Sequence, residues 1–253
     1  MYNVPAGGRV TALDVFLYAL VTALATGIGA LPFLFVRRMS RRWLGLCNAV
    51  AAGLMAGASA GLLHEGAGYG IPRVMAGVLL GMAFIVASQR LLSQRPALAL
   101  GTLRGADAIK GLLIVGVMTV HSVAEGVGVG VAFGGGVELG LFITVAIAVH
   151  NIPEGLAISL VLVPRGEPVG RAAAWSVFSS LPQPLLALPA FLFVERFAAF
   201  LPIGLGFAAG AMLWMVFGEL IPEALEDADR TAVAIVVTLS IVAMLVFQAL
   251  VRP

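Results

Sequence analysis

The sequence predicts an all-α polytopic membrane protein of eight transmembrane helices, in which three helices, a central pair and three more form an inverted repeat. Three observations predict it. Hydrophobic residues make up 60% of the 253-residue chain and charged residues 11%, with a mean hydropathy of +1.05; a soluble domain is typically ~25% charged. The apolar residues fall in eight continuous runs of the ~20 residues that a helix needs to cross a bilayer, and not in the ~10-residue alternating segments of a β-barrel. Two internal repeats relate those runs to one another.

The spans lie at about 12–36, 43–63, 71–92, 107–133, 138–163, 171–194, 200–222 and 231–251. Span one carries Ala23-Leu24-Ala25, which resembles a signal-peptide cleavage site. Its apolar run continues to Val36 and only Arg9 precedes it, so it is expected to stay as a membrane helix. Span two holds Gly53, Gly57 and Gly61, and span three Gly77 and Gly81, a small-xxx-small spacing that lets helix backbones approach closely. Spans four and five carry His121-Ser-Val-Ala-Glu125-Gly126 and, 29 residues later, His150-Asn-Ile-Pro-Glu154-Gly155. In span seven, Ala208-Ala-Gly210-Ala-Met212 resembles Ala51-Ala-Gly53-Leu-Met55 of span two. A leucine-rich end closing in an acid follows each, at Glu65 and Glu223. If spans one to three repeat as six to eight, spans two and seven run in opposite directions, a plan common among secondary transporters.

Connections are short, and the whole chain (1–253) reads as one transmembrane domain. The longest polar break, around 93–106, contains no histidine. Arg37, Arg38, Arg41, Arg42, Arg90, Arg95, Arg104, Lys110, Arg165, Arg171 and Arg230 flank odd-numbered connections; Arg9, Arg73, Arg196 and Arg252 fall on the other side. The positive-inside rule then puts the first loop in the cytoplasm and both termini outside, in a plasma (bacterial inner) membrane. The pI of 9.1 reflects a net charge of only +2 with no basic tail, so no nucleic-acid partner is expected. A lone cysteine, Cys47, excludes an intrachain disulfide.

The chemistry concentrates in the duplicated hexapeptide. The chain has three histidines, and two occupy the same place in that repeat. Residues i and i+4 share a helix face, so His121 stands over Glu125 and His150 over Glu154. Facing helices would gather two imidazoles and two carboxylates, ligands that suit zinc, iron, manganese and other first-row divalent cations. An acid at mid-membrane costs ~2.5–3.5 kcal/mol even on the lenient insertion scale, so two of them imply a use. A buried hydrogen-bonded pair tying helices together is the plain alternative, weakened by the duplication. Pro153 removes a backbone donor and frees the Val149 carbonyl beside His150.

The paired HxxxEG motifs resemble those of the ZIP (Zrt-, Irt-like protein) family of divalent-metal transporters. His150-Asn151-Ile152-Pro153-Glu154-Gly155 is similar to the family's span-five motif, and His121 to Gly126 to its span-four motif. The likeness extends to Gly29-Ala-Leu-Pro32, Ala52-Gly53-Leu54-Met55, Ser179-Ser-Leu-Pro-Gln183-Pro184, and Gly210-Ala-Met212 through Pro222-Glu223. The resemblance implies a three-plus-two-plus-three arrangement and metal carried toward the cytoplasm through a site between spans four and five. It implies primary ligands His121, Glu125, His150 and Glu154, with Asn151 in an adjoining second site and Met55 flanking the first. The chain departs from the family pattern at Ser122, where Asn is frequent, at Ala124, where Pro is, and at Gln183, where a glutamate precedes proline. Ser122 and Gln183 are neutral, weaker ligands, so a second metal position is expected to be weakened or lost. The histidine-rich loop of some members is missing.

The expected function is therefore transport of divalent metal by alternating access, zinc first, with iron, manganese or cadmium sharing the same ligands. The metal is substrate, and no organic cofactor is expected. His64 and Glu65 would attract ions at the outer mouth, and Glu219 and Glu223 would line the exit, while Glu226, Asp227 and Asp229 read as a solvated acidic turn. The partners are the lipid bilayer, the metal ions and, from the glycine faces, a second copy in a homodimer. The chain is read as no enzyme. A zinc-dependent intramembrane hydrolase would need a catalytic group beside the metal, which the duplicated motif lacks. A haem-binding electron carrier could use His121 and His150, but a glutamate one turn below each argues against it. A retinal protein needs a lysine deep in its last helices, and the only lysine is Lys110.

Overall fold

A computed structural model describes residues 10–36, 40–93 and 105–251, without the side chains of 92, 93 and 105–114. Arg9, Arg37, Arg38, Arg95, Arg104 and Arg252, and most of the 93–106 break, lie outside the described residues, and the Lys110 side chain does too.

Among the described residues, eight segments are long and apolar enough to cross a membrane, close to the expected spans. Span one is α1 (Ala12–Ile28) and a 3-10 turn (Leu31–Leu34). Thr11 caps α1 by accepting from the Asp14 amide while the Asp14 carboxylate accepts from the Thr11 amide, so two otherwise orphaned donors are satisfied. Spans two and three are α2 (Arg41–Ala67) and α3 (Ile71–Ser93), followed by α4 (Gly105–Gly135) and α5 (Val137–Leu162). Span six is two helices, α6 (Val169–Ser180) and α7 (Pro182–Arg196). Span seven comprises α8 (Leu201–Met215), a π turn (Val216–Leu220) and α9 (Ile221–Asp227), and α10 (Arg230–Val251) is span eight.

Two local features position the centre of the molecule. Gly136 alone joins α4 to α5, at φ +138°, a conformation that a side chain would strain. The two motif helices are therefore antiparallel neighbours. Spans one and six are both interrupted at a Leu-Pro pair, Leu31-Pro32 and Leu181-Pro182, where proline cannot donate to the preceding turn.

The packing follows the expected repeat. Span three packs on span seven and span eight on span two; span one packs on span five and span six on span four. Exchanging one with six, two with seven, three with eight and four with five maps each pair onto its counterpart. The weak repeat obeys the same rule. A methyl group on Gly53 would strike Val237 and Ser240 of span eight, and one on Gly210 would strike Val78 of span three. Met55 and Met212 are both fully buried.

Gly77 and Gly81 abut Ile203 and Phe207 of α8, while Gly126 and Gly130 abut Gln183 and Ala187 of α7. These glycine faces are thus filled by the chain's own helices, which removes the observation that favoured a homodimer. Lipid-facing surface lies instead on α10, with Ile235, Leu239, Val242, Val246 and Leu250 exposed. The Arg41 guanidinium lies 3.0 Å from the Asp227 carboxylate, which ties the first and seventh connections to one side of the bundle. Asp227 is therefore an ion-pair partner and not simply part of a solvated turn.

Candidate metal centre

The helix period and the α4–α5 turn set the geometry of the centre. His121 and Glu125 share one face of α4, and His150 and Glu154 share one face of α5. All four side chains are almost wholly excluded from the surface. One ligand atom from each of His121, Glu125 and His150 falls within 4.8 Å of the others. His150 Nε2 lies 2.6 Å from Glu125 Oε1, and His121 Nε2 lies 3.4 Å from Glu125 Oε1 and 3.3 Å from Glu154 Oε1. The closest imidazole–carboxylate pairs thus run between the helices: His150 meets Glu125, and His121 meets Glu154.

Polar accounting shows what the cluster lacks. Buried polar groups are nearly always paired, and an orphan costs the desolvation of that group. Yet neither nitrogen of His121 has a hydrogen-bond partner among the described residues, nor does Glu154 Oε1. His150 differs. Its Nδ1 lies 3.2 Å from the Ala146 carbonyl and its Nε2 2.6 Å from Glu125 Oε1, so both ring nitrogens face oxygen and Nε2 is turned toward the cluster. A backbone partner on the far nitrogen holds the ring's orientation, the arrangement that aims an imidazole at a cation. α5 runs unbroken through Pro153.

The remaining expected residues divide into three groups. Asn151 and Gln183 adjoin the cluster: Gln183 Nε2 donates to Glu125 Oε2 at 2.5 Å, and Asn151 Nδ2 donates to Gln183 Oε1 at 3.1 Å and to the Thr22 carbonyl at 2.9 Å. Ser122 is buried on α4 with its hydroxyl unpaired among the described residues, and Met55 is fully buried in the apolar core. The other four stand at opposite ends of the bundle. His64 and Glu65, near the end of α2, line a cavity of about 330 Å³ together with Gln248. Glu219 sits in the π turn and accepts from Gln89 Nε2 at 3.0 Å, and Glu223 of α9 accepts from Asn48 Nδ2 at 3.3 Å.

Sequence reasoning passed over Thr22, Asn48, Gln89 and Gln248. Each is a polar side chain in an apolar span, which was signal enough to single them out; the partners of Thr22, Asn48 and Gln89, far off in sequence, could not be read.

Comparison with known proteins finds relatives along most of the chain. The family described as "ZIP Zinc transporter" matches residues 96–249, which take in both motif helices. The zinc transporter GufA of Myxococcus xanthus is 36% identical over 224 residues, covering 81% of this chain and 86% of the relative. The chain belongs to the ZIP family. An Arabidopsis thaliana protein provisionally named a zinc transporter is 46% identical over 239 residues, covering 93% of this ZIP chain and 38% of its own length. This ZIP protein therefore spans well under half of that relative. Membership makes it a polytopic integral membrane protein of a transporter family and not of an enzyme family, as the motifs implied.

Proposed function

We propose that the chain carries divalent metal ions, zinc first, across the membrane toward the cytoplasm through the cluster of His121, Glu125, His150 and Glu154. One observation carries the reading: two imidazoles and two carboxylates converge in the buried centre of the bundle, with His121 Nε2 within 3.4 Å of a carboxylate from each helix. A dication supplies what those atoms lack, and two ionised glutamates balance its charge where the dielectric is low. The names of both relatives support zinc as the cargo.

The route is alternating access. An ion enters at the outer end, past His64 and Glu65, sheds water at the cluster and leaves past Glu219 and Glu223. The 330 Å³ cavity holds on the order of ten water volumes, so an ion reaching it keeps a hydration shell. The termini lie outside. Neither the hydrolase nor the haem reading is favoured by any feature of the site.

The test is flux into liposomes holding the purified protein, with zinc, iron, manganese and cadmium compared and Glu154→Ala as control. Zinc influx that the variant abolishes is expected. No flux for any metal, or equal flux through the variant, overturns the proposal.

A further inference from the structure

Gln183 stands at the first turn of α7, just past the Leu181-Pro182 break, and is fully buried. Every atom of its amide is engaged. Oε1 takes the Asn151 Nδ2 donor at 3.1 Å and lies 2.5 Å from the Thr22 hydroxyl, whose proton also faces the Ala19 carbonyl. Nε2 donates to Glu125 Oε2 at 2.5 Å. Turning the amide over would set its oxygen against a carboxylate oxygen and its NH2 against the NH2 of Asn151. Two like-with-like contacts are disfavoured, so the surroundings select the orientation observed. The oxygen can reach a cation only by giving up its donors, and an amide NH2 is no ligand.

From this we infer that Gln183 is a positioning residue and not a ligand. It places a neutral donor on Glu125 Oε2, which withholds that oxygen from a cation, and leaves Oε1 alone facing His121 and His150. Thr22 and Asn151 hold the amide in that sense. The centre then takes one ion at a time, with Glu125 as a single-oxygen ligand. This rests on the proposed transport site. It departs from the expectation that Gln183 is a weak ligand, because its donor points at a carboxylate.

Gln183→Glu reverses the arrangement. A third carboxylate would then face Glu125 Oε2, and a cation between the two relieves their repulsion. The experiment counts zinc ions bound per chain, and their affinity, for the full-length protein in detergent by equilibrium dialysis and elemental analysis. One zinc per chain is expected for the unaltered protein and two for Gln183→Glu. Gln183→Ala should keep one zinc with affinity lowered about 10–100-fold, the usual effect of losing a group that orients a ligand. Thr22→Val, which deletes one hydroxyl without changing size, should keep one zinc, bound severalfold more weakly, and tests the amide's anchoring even if Gln183→Glu fails to fold.

Two zinc ions in the unaltered protein, falling to one in Gln183→Ala, would make Gln183 a ligand and overturn the inference. Unchanged affinity in both Gln183→Ala and Thr22→Val would overturn it as well. Zinc binding that survives His121→Ala undiminished would instead sink the transport site itself, and the inference with it.

Discussion

His121 is the residue on which the site turns. Its imidazole is buried, its Nδ1 has no hydrogen-bond partner among the described residues, and its Nε2 lies 3.3–3.4 Å from the carboxylates of Glu154 and Glu125. Replacing His121 or His150 by alanine should each reduce zinc uptake by tenfold or more, and the double variant should abolish it; uptake unchanged in the double variant would remove the assignment. Acid should act in the same direction. A histidine must be neutral and a glutamate ionised to hold a metal, so zinc affinity is expected to weaken as pH falls. A binding series from pH 8 to pH 5.5 reads this directly, and a flat series would contradict it. The motif spacing made these four residues legible because i and i+4 share a helix face. The spacing did not reveal that the closest pairs cross between helices, because that depends on how α4 and α5 face each other.

Glycine contacts decide how the elements pack. Gly155, one residue after Glu154, lies so close to the Thr26 carbonyl of α1 that any side chain must push the helices apart. Gly155→Val is expected to destabilise the protein by about 1–3 kcal/mol, the usual range for overpacking a filled interior, and to weaken zinc binding, because the α1–α5 crossing also holds Thr22 against Asn151. Gly170, with open space around its Cα, is the control. Gly170→Ala should be neutral or slightly stabilising through helix propensity. Thermal unfolding in detergent compares the two; equal midpoints would show that the close crossing carries no weight. The four-residue spacing of glycines such as Gly53, Gly57 and Gly61, or Gly77 and Gly81, announced packing positions, but left open whether the faces met another copy or another helix of the same chain. Gly53, Gly81 and Gly130 answer that: each lies against a backbone within the protein.

The whole molecule is organised by its pseudo-two-fold exchange of spans. The three outer helices on each side are not separate blocks: spans one and six embrace the central pair, spans three and eight pack on spans seven and two, and spans two and seven also lie against the central pair. The proposed orientation is testable at two exposed loop positions. With Cys47 replaced by serine, a cysteine at Tyr69 should react with a membrane-impermeant maleimide added outside intact cells. One at Asp229 should react only after the membrane is opened. The reverse pattern would invert the topology and with it the direction of transport.

Composition alone determined the solvent, since 60% hydrophobic residues in eight helix-length runs fit only a bilayer. Local periodicity determined the helices and the two polar faces at the centre, because both are fixed within one or two turns. Scarcity helped: with 11% charged residues and three histidines, few polar groups could be confused with the site. Only the tertiary structure decided which residues meet across spans. Thr22 reaches Gln183 over 161 positions and Gln183 reaches Glu125 over 58, and no pattern in an isolated helix encodes such a contact. Contacts between helices depend on how far each rotates and how closely backbones approach, and that is settled by glycine packing along the whole length of the bundle.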